Sequence, residues 1–364
     1  VRVALLTYST KPRGGVVHTL NLAEALAATG TDVTVWSLAR RGDRGFFREV
    51  DPRVDVRLVE FPDAAAESVT DRIVRSIALL GAAFRPRDHD VVHAQDCISA
   101  NAVGACIRTI HHLDEFTTPV LVECHEKAVV EPYARICVSE AVAAEVRAGW
   151  GLSPTVIPNG VLAQRFSDAA SDAPAAVAAR ADWQGRLGRY VLAVGGIEPR
   201  KGTVDLVEAH HLLRQRVPDV NLVIAGGETL FDYRDYRAAF DRRCADLGVE
   251  PVILGAVEDD ELPGLVAASS AFAFPSTKEG FGLAAMEALA AGRPVVTRDL
   301  PVLREVFADT VRYASEPDAF ADALQAALEN GGDADAGRVL ASSLTWERAA
   351  QRHLEFYEAH PMPR

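Results

Sequence analysis

Two successive series of short β-branched runs, each alternating with segments of helical periodicity, limit this chain to a doubly wound α/β architecture repeated in tandem. In the first half the runs are Val1 to Thr7, Asp32 to Ser37, Val54 to Phe61, Asp90 to Ala94, Ile107 to His111, Arg135 to Ser139 and Thr155 to Pro158. Between the first two, Val16 to Thr29 places Val17, Leu20, Ala23, Leu26 and Ala27 on one face and stops at Gly30, so it is expected to cover a parallel sheet. The pattern restarts with strand Tyr190 to Gly196, helix Thr203 to Arg216, strand Asn221 to Ala225, a charged helix from about Asp232 to Leu247 and strand Val252 to Leu254. The 364 residues are natural for two such domains of roughly 150 to 180 residues, each able to bury its own core. Between them, Ser167 to Arg189 is rich in Ala, Asp, Ser and Pro and reads as a linker with an exposed helix, and Leu344 to His360, with Trp346, reads as a closing helix.

Composition narrows the partners. A formal net charge of −13 disfavours broad attraction to nucleic acid or to an anionic membrane surface. Locally, Arg40, Arg41, Arg44 and Arg48 crowd the segment after the second strand, a patch that could hold an anionic acceptor or a membrane headgroup, or be a solvated loop. No apolar run approaches the ~20 residues of a membrane span, so a cytoplasmic protein without an integral membrane segment is expected, with peripheral membrane contact left open. Cys97, Cys106, Cys124, Cys137 and Cys244 show no paired spacing, which predicts neither a disulfide nor zinc.

The chemistry concentrates in residues 271 to 296, AFAFPSTKEGFGLAAMEALAAGRPVV. This is a βαβ unit: strand Ala271 to Phe274, turn Pro275 to Gly282, helix Leu283 to Ala291, a stop at Gly292 and strand Pro294 to Val296. A helix that begins beside a glycine turn offers unpaired backbone N–H groups and partial positive charge to a phosphate, and the backbone of Gly280, Phe281, Gly282 and Leu283 would approach it. Glu287 falls on a mostly apolar helix face, where an ionised carboxylate is costly unless donors meet both oxygens, as two ribose hydroxyls would. Glu279, in the turn, could reach a sugar or the far end of a diphosphate; the alternative is a pair of surface glutamates.

Other strand ends add candidates. In GGIEPRKG, residues 195 to 202, Arg200 and Lys201 open a helix and could clamp a diphosphate or belong to a solvated loop, with Gly196 at the end of the strand before them. Gly14 and Gly15 sit where the first strand feeds its helix, a turn that would also admit phosphate or sugar. His111, in RTIHHLDEF, could serve a ligand or cap a loop. His93 and Asp96 in VVHAQD and Ser139 in ICVSE occupy comparable strand ends and are acceptor-side candidates, while Asn159 and Gly160 read as a structural turn.

EGFGLAAMEALAAGRPVV resembles the E-x7-E segment of retaining glycosyltransferases of family 4, and VRVALLTYSTKPRGGVVHTLNLAEALAATGTDVTVWSL resembles that family's first strand, glycine loop and first helix. The likeness spans nearly the whole chain. It implies the GT-B fold, two Rossmann-like doubly wound α/β domains facing a central cleft: an acceptor domain over residues 1–166 completed by a crossing helix 344–360, a linker 167–188 and a nucleotide-sugar donor domain over 189–343. It implies transfer of a hexose from a UDP- or GDP-sugar to a small-molecule, lipid or glycan acceptor, with retention.

The resemblance also implies roles. Arg200 and Lys201 match the family's basic pair on the leaving diphosphate, Glu279 and Glu287 its donor-binding carboxylates, and His111 a histidine that lines the sugar pocket. Departure and attack on one face, with the leaving phosphate taking the acceptor proton, replace a two-carboxylate relay. Because positioned cations can replace a divalent ion and no D-x-D cluster stands out in a plausible donor loop, neither metal nor cofactor is expected. The chain departs from the family at Gly196, where relatives carry a further arginine, and after Val296, where TRDLPVLREVF lacks their glycine-rich loop. Those departures keep a non-catalytic sugar-nucleotide binding protein in view, beside an epimerase; a nicotinamide dehydrogenase would need a G-x-G-x-x-G that neither Gly14-Gly15 nor Gly195-Gly196 supplies.

Overall fold

The computed structural model describes residues 1–40, 42–64, 67–116, 118–226 and 233–363; Arg41 of the basic patch and Asp232, the expected start of the charged helix, lie outside the described residues. The chain divides into two compact units, Val1–Gly160 with Thr345–Arg364, and Val161–Leu344.

The N-terminal unit holds strands β1 (Arg2–Leu6), β2 (Asp32–Arg40), β3 (Val54–Phe61), β4 (Val91–Ala94), β5 (Ile107–Ile110), β6 (Ala134–Cys137) and β7 (Thr155–Val156). They form one parallel sheet in the order β3-β2-β1-β4-β5-β6-β7. Both faces are covered, which is why the strands read as continuous apolar runs. Val3 and Leu5 of β1 enter one core with Leu20 and Leu26 of the helix Gly14–Ala28, whereas Ala4 and Leu6 enter another with Leu80 and Phe84. The C-terminal helix Trp346–Ala359 adds Trp346, Ala350, Phe356 and Tyr357 to the first of these cores. Thr345 starts that helix by accepting the Arg348 N–H at 3.2 Å. Gly160 must be glycine for the same reason of packing, since a Cβ there would lie 2.4 Å from the Trp346 nitrogen.

In the second unit β8 (Arg189–Val194), β9 (Val220–Ala225), β10 (Val252–Gly255), β11 (Ala271–Phe274), β12 (Val295–Arg298) and β13 (Arg312–Ala314) give the parallel order β10-β9-β8-β11-β12-β13. Val191, Leu222, Ile224, Ala273 and Val296 pack there against Leu206, Leu213, Phe320 and Leu324. In each sheet the strand order reverses beside the first strand, between β1 and β4 and between β8 and β11. Ligands of open parallel sheets bind outside the carboxyl ends of the strands at such a reversal.

Two expectations change. The stretch expected as a linker, 167–188, is largely helical, in Ala163–Ala169 and Pro174–Leu187, and belongs to the second unit, where Trp183 and Leu187 are buried. The first unit ends at Gly160 rather than at residue 166.

Candidate active site

The strongest convergence lies at the carboxyl ends of β8 and β11. The loop leaving β8 and the loop leaving β11 are stitched together: Thr277 N–H donates to the Arg200 carbonyl at 2.8 Å, and a Cβ on Gly202, whose φ is +60°, would lie 2.2 Å from the Pro275 carbonyl oxygen. Only glycine satisfies both the left-handed backbone and that approach. This brings Arg200 and Lys201 onto Glu279. Lys201 Nζ donates to Glu279 Oε1 at 2.6 Å, Arg200 Nη1 to the same oxygen at 3.0 Å, and Arg200 Nη2 to Glu198 Oε1 at 3.2 Å. Burial pulls the Lys201 ammonium down, and the Glu279 carboxylate opposes that pull. Gly195 sits against the pair, with the Lys201 stem 3.2 Å from a Cβ placed on it.

The helix that follows β11 runs Leu283–Ala290 from Gly282, at φ +95°, with no side-chain cap, so its first N–H groups are left for a ligand. Glycine at position 282 has a packing reason beside the expected one. A Cβ there would lie 3.0 Å from the Phe307 ring, so backbone geometry and packing also call for this glycine. Phe281 is buried beside it. One turn on, the Glu287 carboxylate has no hydrogen-bond partner among the described residues. Burial pushes its carboxyl up to about 8, with Arg165 opposing and Asp259 adding to the rise. Arg165 is itself held by Asp259 at 2.8 Å and does not neutralise Glu287. A carboxyl so placed has both oxygens to offer to hydroxyl donors.

In the N-terminal unit, His111 follows β5 and lies beside Gly15: a Cβ on that glycine would sit 3.6 Å from the His111 ring. Its Nε2 is 3.3 Å from Gln95 Oε1 and its ring meets His18 edge-on at 4.7 Å between centroids. Burial, with the His18 imidazole and the Arg108 guanidinium, holds His111 well below the usual histidine range and therefore neutral. Gly14 opens its helix with nothing near its missing Cβ. Thus Gly14, Gly15, Gln95 and His111 gather at the reversal between β1 and β4.

Three acceptor-side candidates are corrected. His93 is fully buried and both ring nitrogens are engaged, Nδ1 with the Tyr357 hydroxyl at 2.8 Å and Nε2 with the Thr109 hydroxyl at 2.7 Å, so it ties β4 and β5 to the C-terminal helix. Asp96 spends both oxygens on backbone, accepting from Ser99 N–H at 2.8 Å and Tyr8 N–H at 2.9 Å. Ser139 is buried and caps its helix by accepting the Val142 N–H at 3.3 Å. All three are structural. Sequence reasoning missed Gln95 and His18, whose positions carried no motif; His18 Nδ1 lies 2.9 Å from Asn159 Oδ1, which gives that turn residue its structural use.

Known proteins share this organisation. The model described as "Glycosyltransferase Family 4" matches residues 12–165, and that described as "Glycosyl transferases group 1" matches 186–338, so together they span most of both units. The chain belongs to glycosyltransferase family 4. It is 33% identical over 253 residues to a phosphatidyl-myo-inositol mannosyltransferase of Mycobacterium tuberculosis, covering 66% of this chain and 62% of that protein. It is 28% identical to a D-inositol 3-phosphate glycosyltransferase of Salinispora arenicola, over 98% of this chain and 91% of that one. The crystal structure of Anabaena HepE in complex with UDP and glucose superposes with a TM-score of 0.74 at 18% identity, over 98% of this chain and 99% of that one. The fold is GT-B, as expected for the family. Among the described residues, no helix is long and apolar enough to cross a membrane.

Proposed function

We propose that this family 4 member is a hexosyltransferase that uses a UDP- or GDP-sugar, retains configuration at the anomeric carbon and needs no divalent metal. The observation that carries the reading is the cluster in the second unit: Arg200 and Lys201 on Glu279, an uncapped helix start at Gly282, and, one turn further on, the Glu287 carboxylate with no hydrogen-bond partner among the described residues. Its parts suit the parts of a nucleotide sugar. Helix N–H groups and the two cations suit the diphosphate, and the Glu287 carboxylate suits ribose hydroxyls. HepE, bound to UDP and glucose, supports a nucleotide-sugar donor, and the relatives, a mannosyltransferase and an inositol-phosphate glycosyltransferase, support sugar transfer.

In the proposed reaction the bond from the anomeric carbon to the β-phosphate oxygen breaks while the acceptor oxygen bonds to the same face of that carbon. The acceptor proton passes to the departing phosphate oxygen, so nucleoside diphosphate leaves protonated and no enzyme nucleophile is needed. Arg200 and Lys201 stabilise charge that grows on the phosphate in the transition state, which raises the rate rather than merely tightening binding. His111, being neutral, can donate to or accept from a sugar hydroxyl without repelling a cationic anomeric centre.

The test is calorimetric titration with UDP, GDP and ADP in EDTA, followed by nucleotide release from the matching sugar donors with and without candidate acceptors. Micromolar binding of one diphosphate in EDTA and acceptor-dependent release are expected. Binding without release under any acceptor would reduce the protein to a sugar-nucleotide binder, and sugar interconversion without acceptor would make it an epimerase.

A further inference from the structure

The arginine cluster after β2 separates into side chains with different surroundings. Arg48 is bound, with Nη1 2.6 Å from Glu24 Oε1 and Nη2 2.8 Å from Asn21 Oδ1, and Arg44 is exposed. Arg40, the last residue of β2, is neither. Its guanidinium carbon lies 4.0 Å from the centre of the Phe61 ring, and Arg75 lies 3.9 Å from that same ring. Arg40 Nη2 donates to Ser76 Oγ at 2.8 Å, its Nε is buried without a partner, and no carboxylate among the described residues forms an ion pair with it.

The groups facing Arg40 sharpen the imbalance. Burial and the positive potential of Arg72, Arg75 and Arg13 oppose the charged guanidinium, while Tyr8 favours it. Glu67 feels the Arg40 charge but is committed to Arg75 at 2.6 and 2.8 Å and stands 3.7 Å from Arg72. Asp63 acts on Arg75 as well. A part-buried guanidinium stacked on an aromatic face has lost water and rotamer freedom, and without a counter-charge that arrangement is costly. An anionic ligand would supply the missing charge. The location suits one: Arg40 ends β2 and Arg13 precedes the helix that opens at Gly14, so both lie at the carboxyl edge of the sheet. A neighbouring cavity of about 600 Å³ is lined by Phe61 and Ala39 with Asp43, Glu60, Asp63 and Arg44 and not by Arg40, so it is not the anion subsite.

We propose that Arg40, flanked by Arg13 and Arg72, forms an anion subsite that takes a phosphate group carried by the acceptor. The assignment of that phosphate to an acceptor rests on the glycosyltransferase reading; the binding of phosphate does not. A soluble phosphate monoester and the headgroup of a phospholipid present the same chemistry, and the experiment separates them.

The full chain is titrated with glycerol 3-phosphate and inorganic phosphate, and cosedimented with vesicles of phosphatidylinositol in phosphatidylcholine against phosphatidylcholine alone, for wild type, Arg40→Gln, Arg72→Gln and the exposed control Arg44→Gln. UDP and GDP titrations run alongside. Saturable binding that Arg40→Gln weakens about tenfold or more, as for loss of one charge-assisted hydrogen bond, and that Arg44→Gln leaves unchanged, supports the subsite. A response to glycerol 3-phosphate assigns it to soluble esters, and a response confined to phosphatidylinositol vesicles assigns it to the lipid. Should Arg40→Gln fail to fold, Arg72→Gln must still weaken binding severalfold. Absence of binding to every phosphate probe, or binding indifferent to both substitutions, overturns the proposal. UDP or GDP binding in that event leaves the transferase reading standing; phosphate binding without any nucleotide binding keeps the subsite and removes the transferase.

Discussion

Lys201 Nζ and Glu279 Oε1 lie 2.6 Å apart, and Arg200 reaches the same oxygen at 3.0 Å while also meeting Glu198, so the two cations expected to hold a diphosphate are already balanced by two carboxylates. A ligand must therefore share or displace Glu279. Lys201→Met removes a cation from the phosphate site and is expected to weaken UDP or GDP binding by about 1.5–3 kcal/mol, the range for a hydrogen bond to a charged group. Glu279→Gln removes the competitor and should tighten the free diphosphate up to about tenfold while slowing sugar transfer. Calorimetry on both variants checks this; equal weakening in the two would show that Glu279 works with the cations rather than against them.

Glu287 sets a pH dependence. Its carboxyl, pushed up to about 8 by burial, is protonated in the free protein at neutral pH, whereas two ribose hydroxyls donate to the ionised form. Nucleotide affinity should rise with pH toward and just beyond 8, by at most about tenfold per unit below it. Stability moves the opposite way. With the folded pKa above the unfolded one near 4.5, the contribution is whole below 4.5 and is lost as pH climbs through 8. Glu287→Gln should flatten both profiles, as read by calorimetry and urea denaturation between pH 6 and pH 9; an unchanged affinity profile would take Glu287 out of the nucleotide site.

Much of this site was legible because the chemistry sits where the chain pattern changes. Glu279 and Arg200 each follow an apolar strand and stand within two residues of a glycine, so their place at strand carboxyl ends could be read before any contact was known. What a polar strand-end residue binds was not legible. Asp96 and Ser139 face the first turn of their own helices, and the choice between a cap and a ligand is made by side-chain rotamers that local sequence does not encode; the Asp96-x-x-Ser99 spacing was the available hint of a capping box. His93 is the third of four residues in β4, inside the strand, and so points into a packed face. The supposed linker misled through its composition, although Trp183 and Leu187, four residues apart, already marked one buried helix stripe.

The packed imidazoles of the N-terminal unit predict acid sensitivity. His18 meets His111, Trp346 and His353 at centroid distances of 4.7, 5.3 and 6.2 Å, and His353 lies 5.8 Å from His93. Burial, reinforced by His353, pulls His18 down to about 3, and burial pulls His353 down to about 4. Both fall below the unfolded value of 6.5, so their contribution is whole above pH 6.5 and is lost as pH falls toward 4 and then 3. Each such histidine adds up to about 1.4 kcal/mol per pH unit to that loss. Urea unfolding at pH 7.5, 6 and 5 should show stability falling, with His18→Phe reducing the slope by close to one proton. A flat profile would mean that protonated imidazoles are accommodated by rearrangement.

His93 and His111 separate a structural histidine from a functional one. His93 is saturated by Tyr357 and Thr109, so His93→Ala strands two buried hydroxyl groups and should cost about 1–3 kcal/mol of stability. At a temperature where that variant remains folded, its kcat/KM should stay within about threefold of wild type, because no part of the ring is left to meet substrate. His111 keeps partial exposure, its 3.3 Å contact to Gln95 is its one side-chain hydrogen bond among the described residues, and removing it should move the unfolding midpoint less than removing His93 does. If it contacts the transferred sugar, His111→Ala lowers kcat/KM by about tenfold or more, the value of a lost transition-state hydrogen bond. Denaturation midpoints and donor kinetics on the two variants give four numbers, and the crossed pattern is the expected one. A His93 variant that is stable but inactive, or a His111 variant that is unstable but active, would exchange their roles.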